Sequence, residues 1–334
     1  MTFSVSVIAT VYNEANNIHQ LLDSLVDQTR APDEVIIVDG GSTDGTPARL
    51  RAYADRLPLQ VIVEPGCNIS AGRNLAIAAS AGDIIASTDA GVRLDPDWLA
   101  EITAPFFANP DSPPGLVSGF FLPDPQTTFE VAMGATVLPS PEEFGKGRFM
   151  PSSRSVAFRH EVWEAAGGYP EWMDYSEDVL FDLAIMRRGY RVAYAPRAIV
   201  HFRPRPNLTA YWRQYRNYAF GDGEGLLWPK RHLVRYATYL LAAPVLLYLA
   251  LVRRSWLGWV GLLAGVAAYT SAPYRRLRPV LPGLSPTERV QTLLWVPLIR
   301  LWGDLAKMVG LPLGLPHGWR NRWKTRRYLG GSGK

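Results

Sequence analysis

Apolar residues come first in short blocks and later in long ones. Residues 5–11 and 35–38 are β-branched apolar runs closed by turn residues, the pattern of strands buried in a parallel sheet; residues 59–64 and 83–88 read the same way. Between these blocks the period changes. Ile18, Leu21, Leu22 and Leu25 recur at helical spacing, residues 46–57 carry a second helix, and residues 70–80 a third, with Ser70 as its cap and Gly82 closing it. The order β-α-β-α-β-α-β predicts a doubly wound α/β sheet with right-handed crossovers. Residues 105–150 are rich in Pro, Gly and Phe without a clear period, so irregular chain is expected there apart from a strand at 116–122. A helix is expected at 176–188, then a short strand at 190–194 and a loop to His201.

Beyond residue 235 the blocks lengthen. Residues 236–252 and 256–273 carry no charged side chain. At ~17–18 residues each, they stand at the lower limit for crossing a bilayer. Arg253 and Arg254 separate them, and Arg275, Arg276 and Arg278 follow. The pattern predicts a hydrophobic hairpin at 236–273; two buried helices of a soluble domain are the other reading. Residues 290–315 are apolar but interrupted by Arg300, Asp304 and Lys307, which fits an amphipathic helix in the membrane interface. The basic tail WRNRWKTRRYL mixes Trp with Arg and Lys, as interfacial anchors do. The chain is therefore expected to divide into a catalytic domain at 1–230 and a membrane-associated region at 231–334.

Charge sharpens this picture. Acidic residues concentrate before position 180 and basic ones dominate after 186, within a net charge of +5. A basic second half beside apolar runs points to a membrane surface, and no nucleic-acid-binding motif is present. The single cysteine, Cys67, rules out an internal disulfide and fits a reducing compartment. The chain opens on the strand-like SVSVIAT with no charged-then-apolar leader, so the catalytic part is expected to face the cytoplasm.

The densest chemistry lies at 35–46, VIIVDGGSTDGT. An acidic, glycine-rich turn follows a buried strand at its carboxyl end, where open α/β sheets bind ligands. Asp39 can accept a hydrogen bond from a nucleobase N–H there, and the glycines let the backbone approach a ligand.

Together with VIATVYNE, GCNISAGRNLAIAASAGDIIASTDAG and the SED of YSEDVLF, this segment resembles family 2 glycosyltransferases of the GT-A fold, over roughly residues 3–225. The resemblance implies a GT-A doubly wound mixed sheet followed by C-terminal hydrophobic helices. It implies that Thr10, Tyr12 and Glu14 hold base and ribose and that Asp39 hydrogen-bonds the base. Ser42 and Asp44 would complete the nucleotide edge, with Asp44 equally able to serve as a turn cap. Arg73 and Asn74 would lie near the diphosphate. Asp89 matches the first position of the family's Asp-x-Asp metal motif, but Gly91 stands where the second carboxylate belongs. His201 is the expected second ligand for Mg²⁺ or Mn²⁺, while Asp95, in DPDW, reads as a helix cap. Of the pair Glu177–Asp178, Asp178 would be the base that deprotonates the acceptor and Glu177 a positioning group. Gln214 is followed by Arg216 without the Trp that processive members carry, which argues against processive polymerisation.

The expected activity is thus inverting transfer from a nucleotide-sugar donor, UDP-linked before GDP-linked, to a glycan or lipid-linked acceptor at a membrane. Two alternatives remain. One is a non-catalytic scaffold, kept open by Gly91. The other is a sugar-nucleotide pyrophosphorylase, for which VYNEAN lacks the basic, glycine-rich loop.

Overall fold

Four parallel strands carry the front of the chain: β1 (Val5–Val11), β2 (Glu34–Asp39), β3 (Leu59–Val63) and β4 (Ile84–Thr88). This computed structural model describes residues 3–108, 111–144 and 150–330. β1 lies between β2 and β4, with Ile8 opposite Ile36 on one side and Ser87 on the other. Helices α1 (Ile18–Val26), α2 (Thr46–Arg51) and α3 (Ile69–Ala78) make the crossovers. Ile18, Leu21, Leu22 and Leu25 form the buried stripe of α1. The cap of α3 is Asn68, not Ser70: Asn68 is extended (φ −78°, ψ 173°) and its side chain accepts from the Ala71 N–H at 2.9 Å, whereas Ser70 is buried inside the first turn. A Cβ on Gly72 would stand 2.9 Å from Thr10 Cγ2, so this glycine lets α3 lie close on the end of β1.

The sheet continues as a mixed one. Its order is β3-β2-β1-β4-β7-β6-β8-β5, with β5 (Val92–Leu94), β6 (Leu116–Pro123), β7 (Ser155–Arg159) and β8 (Val192–Phe202). β7 runs antiparallel to β4 and β6, and β8 is parallel to β6. Where a short strand was expected, β8 runs on to Phe202. Its register slips opposite Ser118 and Phe120, which accommodates Pro196 without a ladder donor. Helices α4 (Trp98–Ala108), α6 (His160–Ala166) and α7 (Glu177–Arg187) cover the sheet half built from these strands. The expected irregular stretch at 105–150 holds β6 and a helix, α5 (Thr128–Val137). Its parts at 109–110 and 145–149 lie outside the described residues. The sheet unit comprises residues up to 124, 141–203 and from 323 on; residues 125–140 and 204–322 form a second, helical unit.

In the helical unit, α8 (Leu208–Glu224) is capped by Asn207. A rod then runs from Pro229 to Leu251 as α9 (Pro229–Ala237), a π-helical turn (Thr238–Ala242) and α10 (Ala243–Leu251). α11 (Trp256–Leu277) folds back along α10, with Gly258 against the backbone of Ala250. Of the two expected crossings, among the described residues only Pro229–Leu251 is long and apolar enough to span a membrane. α11 takes in Pro273, Arg275 and Arg276.

α12 (Pro286–Arg320) starts from a Ser285–Glu288 capping box and is far longer than the expected interfacial helix. Val296 and Ile299 pack into an apolar cluster with Phe129, Met133 and Leu277, while small residues carry the contact with α8. A Cβ on Gly310, Gly314 or Gly318 would lie 2.0, 2.0 or 2.1 Å from the carbonyl oxygens of Arg216, Phe220 and Gly223, so α8 and α12 touch backbone to backbone. Gly314→Val is therefore expected to lower stability by about 1–3 kcal/mol or more through overpacking. Gly265→Ala, with nothing within 4 Å of its Cβ, should be neutral or slightly stabilising. Thermal unfolding of both variants checks this; an unchanged midpoint for Gly314→Val would contradict the contact. The last helix, α13 (Arg322–Gly330), packs in the sheet unit, where the Tyr328 hydroxyl donates to the Gly168 carbonyl.

Candidate active site

β2 delivers Asp39 to the carboxyl edge of the sheet. Its Oδ1 accepts from the N–H groups of Gly41 (2.9 Å) and Ser42 (2.6 Å), a turn that Gly41 permits with φ +91°. Its Oδ2 is buried and has no hydrogen-bond partner among the described residues. A buried carboxylate oxygen left open is costly, and a ligand N–H relieves that cost. Beside it, the ring of Tyr12 is 61% exposed. A Cβ on Gly40 would lie in ordinary contact, 3.6 Å from Tyr12 Cδ2, which places the ring next to the Asp39 turn. Thr10 completes the edge at the end of β1.

The other residues expected at the nucleotide lace two loops together. Ser42 Oγ accepts from the Asn13 N–H at 2.8 Å. Asp44 accepts from the N–H groups of Ala15 (3.0 Å) and Thr46 (2.9 Å), and the Thr46 hydroxyl accepts from the Glu14 N–H at 2.9 Å. The Thr46 hydroxyl, helped by these N–H groups, holds the Asp44 carboxyl below its usual range. Asp44 thus has the turn-capping role, and Glu14 accepts from the Asn17 amide at 3.0 Å.

A second cluster joins three separate segments. Arg73, on α3, is buried; its Nη1 donates to Glu177 Oε1 at 2.7 Å and its Nη2 to Asp89 Oδ1 at 3.2 Å. Its guanidinium also lies over the Tyr169 ring, 5.3 Å from the centroid. The sequence placed Arg73 at the diphosphate; the fold makes it the tie between the end of β4 and the start of α7. Burial opposes its charge, but Glu177 most, then Tyr169 and Asp89, outweigh burial and keep it firmly protonated. Asp89 meets a second cation, Arg154, whose Nε is 3.4 Å away and whose plane stacks 4.2 Å from the Phe202 ring centroid.

Asn74 has no group left for a ligand. Its Nδ2 donates to the Tyr169 carbonyl and Glu171 Oε1 (2.9 and 2.8 Å), and its Oδ1 accepts from Trp163 Nε1 and the Tyr169 N–H (3.0 and 2.7 Å). It fastens the loop before α7, a role its position beside Arg73 concealed. A hollow of about 470 Å³ opens on this outer face of α3, lined by Asn74, Trp163 and Glu171, and holds neither Arg73 nor Asp89. His201 donates through Nε2 to Asp95 Oδ1 at 2.8 Å. The Asp95 carboxylate therefore holds a histidine and does not cap α4. Among the described residues no three His, Cys, Asp or Glu side chains form a metal cluster. A Cβ on Gly91 would meet nothing within 4 Å, so open space stands where a second carboxylate could have been.

The adjacent carboxylates of α7 differ in setting. Glu177 is buried against Arg73, and Asp178 is partly exposed, with Oδ1 accepting from the Val179 N–H at 2.8 Å. Burial first, and the Asp178 charge second, push the Glu177 carboxyl up to about 7, against the pull of Arg73. Burial also pushes Asp182, one turn on, well above the carboxylate range. Between about 4.5 and 7 the folded chain thus holds a proton on Glu177 that the unfolded chain releases. The stability this contributes is full below about 4.5 and is lost as pH rises through 7. Glu177→Gln should flatten that decline, by on the order of 1–3 kcal/mol across the window. Denaturant unfolding at several pH values measures it; parallel wild-type and variant curves would refute it.

Arg154 and Tyr169 escaped the sequence reading. Arg154 sits in an aperiodic PSSRS stretch, and Tyr169 follows two glycines; nothing local marks either.

Comparison with known proteins matches two family models, "Glycosyl transferase family 2" over residues 6–121 and "Glycosyl transferase family group 2" over residues 129–302. Glycosyltransferase AglE of Haloferax volcanii is 28% identical over 228 residues, 67% of this chain and 74% of that protein. The O-antigen chain rhamnosyltransferase RfbN of Salmonella typhimurium is 26% identical over 256 residues, 69% of this chain and 80% of its own. Among solved structures, the mannosyltransferase PcManGT from Pyrobaculum calidifontis, in complex with GDP-Man and Mn²⁺, aligns with a TM-score of 0.55 at 22% identity, over 92% of this chain and 88% of that one. The last shares the fold.

Proposed function

Since the chain belongs to glycosyl transferase family 2, we propose that it transfers a sugar, with inversion, from a nucleoside-diphosphate sugar to a hydroxyl or phosphate of a lipid-linked or glycan acceptor. The observation that carries the donor reading is the unpartnered, buried Oδ2 of Asp39 beside the exposed Tyr12 ring. A nucleobase supplies an N–H for the first and a face for the second. Uracil, the smaller base, is preferred over guanine.

The donor's diphosphate calls for a divalent cation, Mg²⁺ or Mn²⁺. Mg²⁺ is commonly held by one or two carboxylates plus substrate phosphates and water, and the single Asp89 with open space at Gly91 fits that donor set. Asp89, whose two oxygens here face Arg73 and Arg154, would be the carboxylate ligand from this chain. His201, its Nε2 on Asp95, keeps Nδ1 as a second donor, in the manner of metal-bound histidines oriented by a carboxylate. When bound, the cation would offset charge developing on the leaving diphosphate.

The chain's own residues do the rest. Arg73 fixes Asp89 and Glu177 relative to each other. Asp178, exposed where Glu177 is not, takes the proton from the acceptor hydroxyl as it attacks the anomeric carbon. The exposed apolar rod at Pro229–Leu251 supports attachment to a membrane, and in this reading the sheet unit faces the cytoplasm. A lipid-linked acceptor follows from that location.

The test incubates detergent-solubilised full chain with UDP- and GDP-linked sugars and an extract of membrane lipids. The GDP-linked arm and Mn²⁺ are included because the Pyrobaculum enzyme was captured with both. Release of one nucleoside diphosphate, with label in the lipid phase and an inverted anomeric centre, is expected. No release from folded protein would favour a scaffold that keeps the fold without the activity.

A further inference from the structure

The helical unit contains a polar cavity of about 150 Å³ that the transfer chemistry above does not use. That is roughly the volume that admits one benzene-sized guest. Its wall is built from α5, α8, α11 and α12 and includes Tyr211, Tyr269, Arg300, Asp304 and Lys307.

The charges around it do not cancel. Asp304 is already matched: Arg235 Nε donates to its Oδ1 at 2.8 Å, and the Tyr269 hydroxyl donates to its Oδ2. Arg300 and Lys307 have no carboxylate within 4 Å among the described residues. Arg300 uses Nε and Nη2 on the Tyr269 carbonyl (3.1 and 2.7 Å), which leaves Nη1 without a hydrogen-bond partner among the described residues. The Lys307 ammonium lies over the Tyr215 ring, 4.8 Å from its centroid, and makes no hydrogen bond or ion pair among the described residues. Burial, then the neighbouring Arg235, push Lys307 down to about 8, against the pull of Asp304 and Asp222. Tyr211 is 2% exposed and lines the cavity, and its hydroxyl has no hydrogen-bond partner among the described residues. Gly303 makes the room for it, since a Cβ there would stand 2.2 Å from that oxygen.

A planar cation with a spare donor, a point cation and a hydroxyl donor converge on one small space. We propose that this cavity is a binding site for a phosphate or diphosphate monoester. Such an anion accepts from all three groups through different oxygens and neutralises both cations. The phosphate can come from a lipid headgroup or from a soluble ester. Assigning it to a lipid rests on the acceptor reading above; the site itself does not.

The experiment uses the full chain in detergent, with the nucleotide site saturated by UDP. Inorganic phosphate and pyrophosphate are titrated calorimetrically. In a second arm, the chain is floated with phosphatidylcholine vesicles with and without ten per cent phosphatidic acid, ~10 mol% being enough to present the headgroup at moderate surface charge. Lys307→Gln is expected to weaken binding at least about tenfold, and Tyr211→Phe to weaken it less. Loss confined to the vesicle arm identifies a lipid source, and loss confined to the soluble anions a free ester; both support the site. Binding by folded Lys307→Gln and Arg300→Gln equal to wild type in both arms overturns it. If Lys307→Gln does not fold, Tyr211→Phe, which keeps the ring, decides the matter in the same way. UDP binding measured on the same preparations reports separately on the transferase reading.

Discussion

Asp178→Asn should lower turnover by about 10²–10⁴-fold while leaving nucleotide affinity within about twofold. The substitution keeps the shape of the side chain and its Oδ1 contact with the Val179 N–H. What it removes is the ability to take a proton. Two acids open α7, and burial separates their tasks. Glu177 is closed in with Arg73, at 2.7 Å, and cannot reach an acceptor without breaking that pair. Asp178 is partly exposed and makes no ion pair within 4 Å among the described residues. Single-turnover rates with a saturating donor separate chemistry from binding. A variant that transfers at the wild-type rate would move the base elsewhere.

Arg73→Ala carries the largest expected loss of stability, about 3–5 kcal/mol. Removing the guanidinium leaves Glu177 buried without its counter-charge and leaves Asp89 facing Arg154 alone. The remaining carboxyl takes up a proton to escape the cost, so the positioning of α7 against β4 is lost along with the charge. Arg73→Lys retains the charge but not the planar fork that reaches two carboxylates, and should recover part of the stability and little of the activity. A double-mutant cycle with Glu177→Gln should give a coupling of about 1–3 kcal/mol. Additive effects would mean that the two groups do not act as a pair.

Strands β1, β2 and β4 were legible because both their faces are buried in a parallel sheet, and α1 because one apolar stripe is; β3 was legible from its β-branched run alone, since it is a half-exposed edge strand rather than the buried one expected. Asp39 and Asp89 were legible because they end such strands. β7 and α6 were not, since their short runs lack a period long enough to distinguish strand from helix. The cap of α3 was misplaced by two residues because Asn68 and Ser70 are both good caps, and only backbone geometry chooses between them. The roles of Arg73 and Asn74 depended on partners about a hundred residues away, Glu177 and Tyr169, which no local pattern announces. The apolar residues of α12 drew the eye to a membrane interface, while its glycines, silent in a hydropathy reading, set the contact with α8.

Donor recognition turns on Asp39 reading a nucleobase through its open oxygen. Calorimetric titration of the full chain with UDP and GDP, each with and without Mn²⁺, alongside Asp39→Asn, tests this most directly. Wild type should bind one of the two nucleotides. The variant keeps the Oδ1 turn contacts but places an amide donor against the base N–H, so its affinity should fall by about 10–100-fold with the fold intact. Equal binding by wild type and Asp39→Asn, or no binding of either nucleotide by folded wild type, would contradict the account.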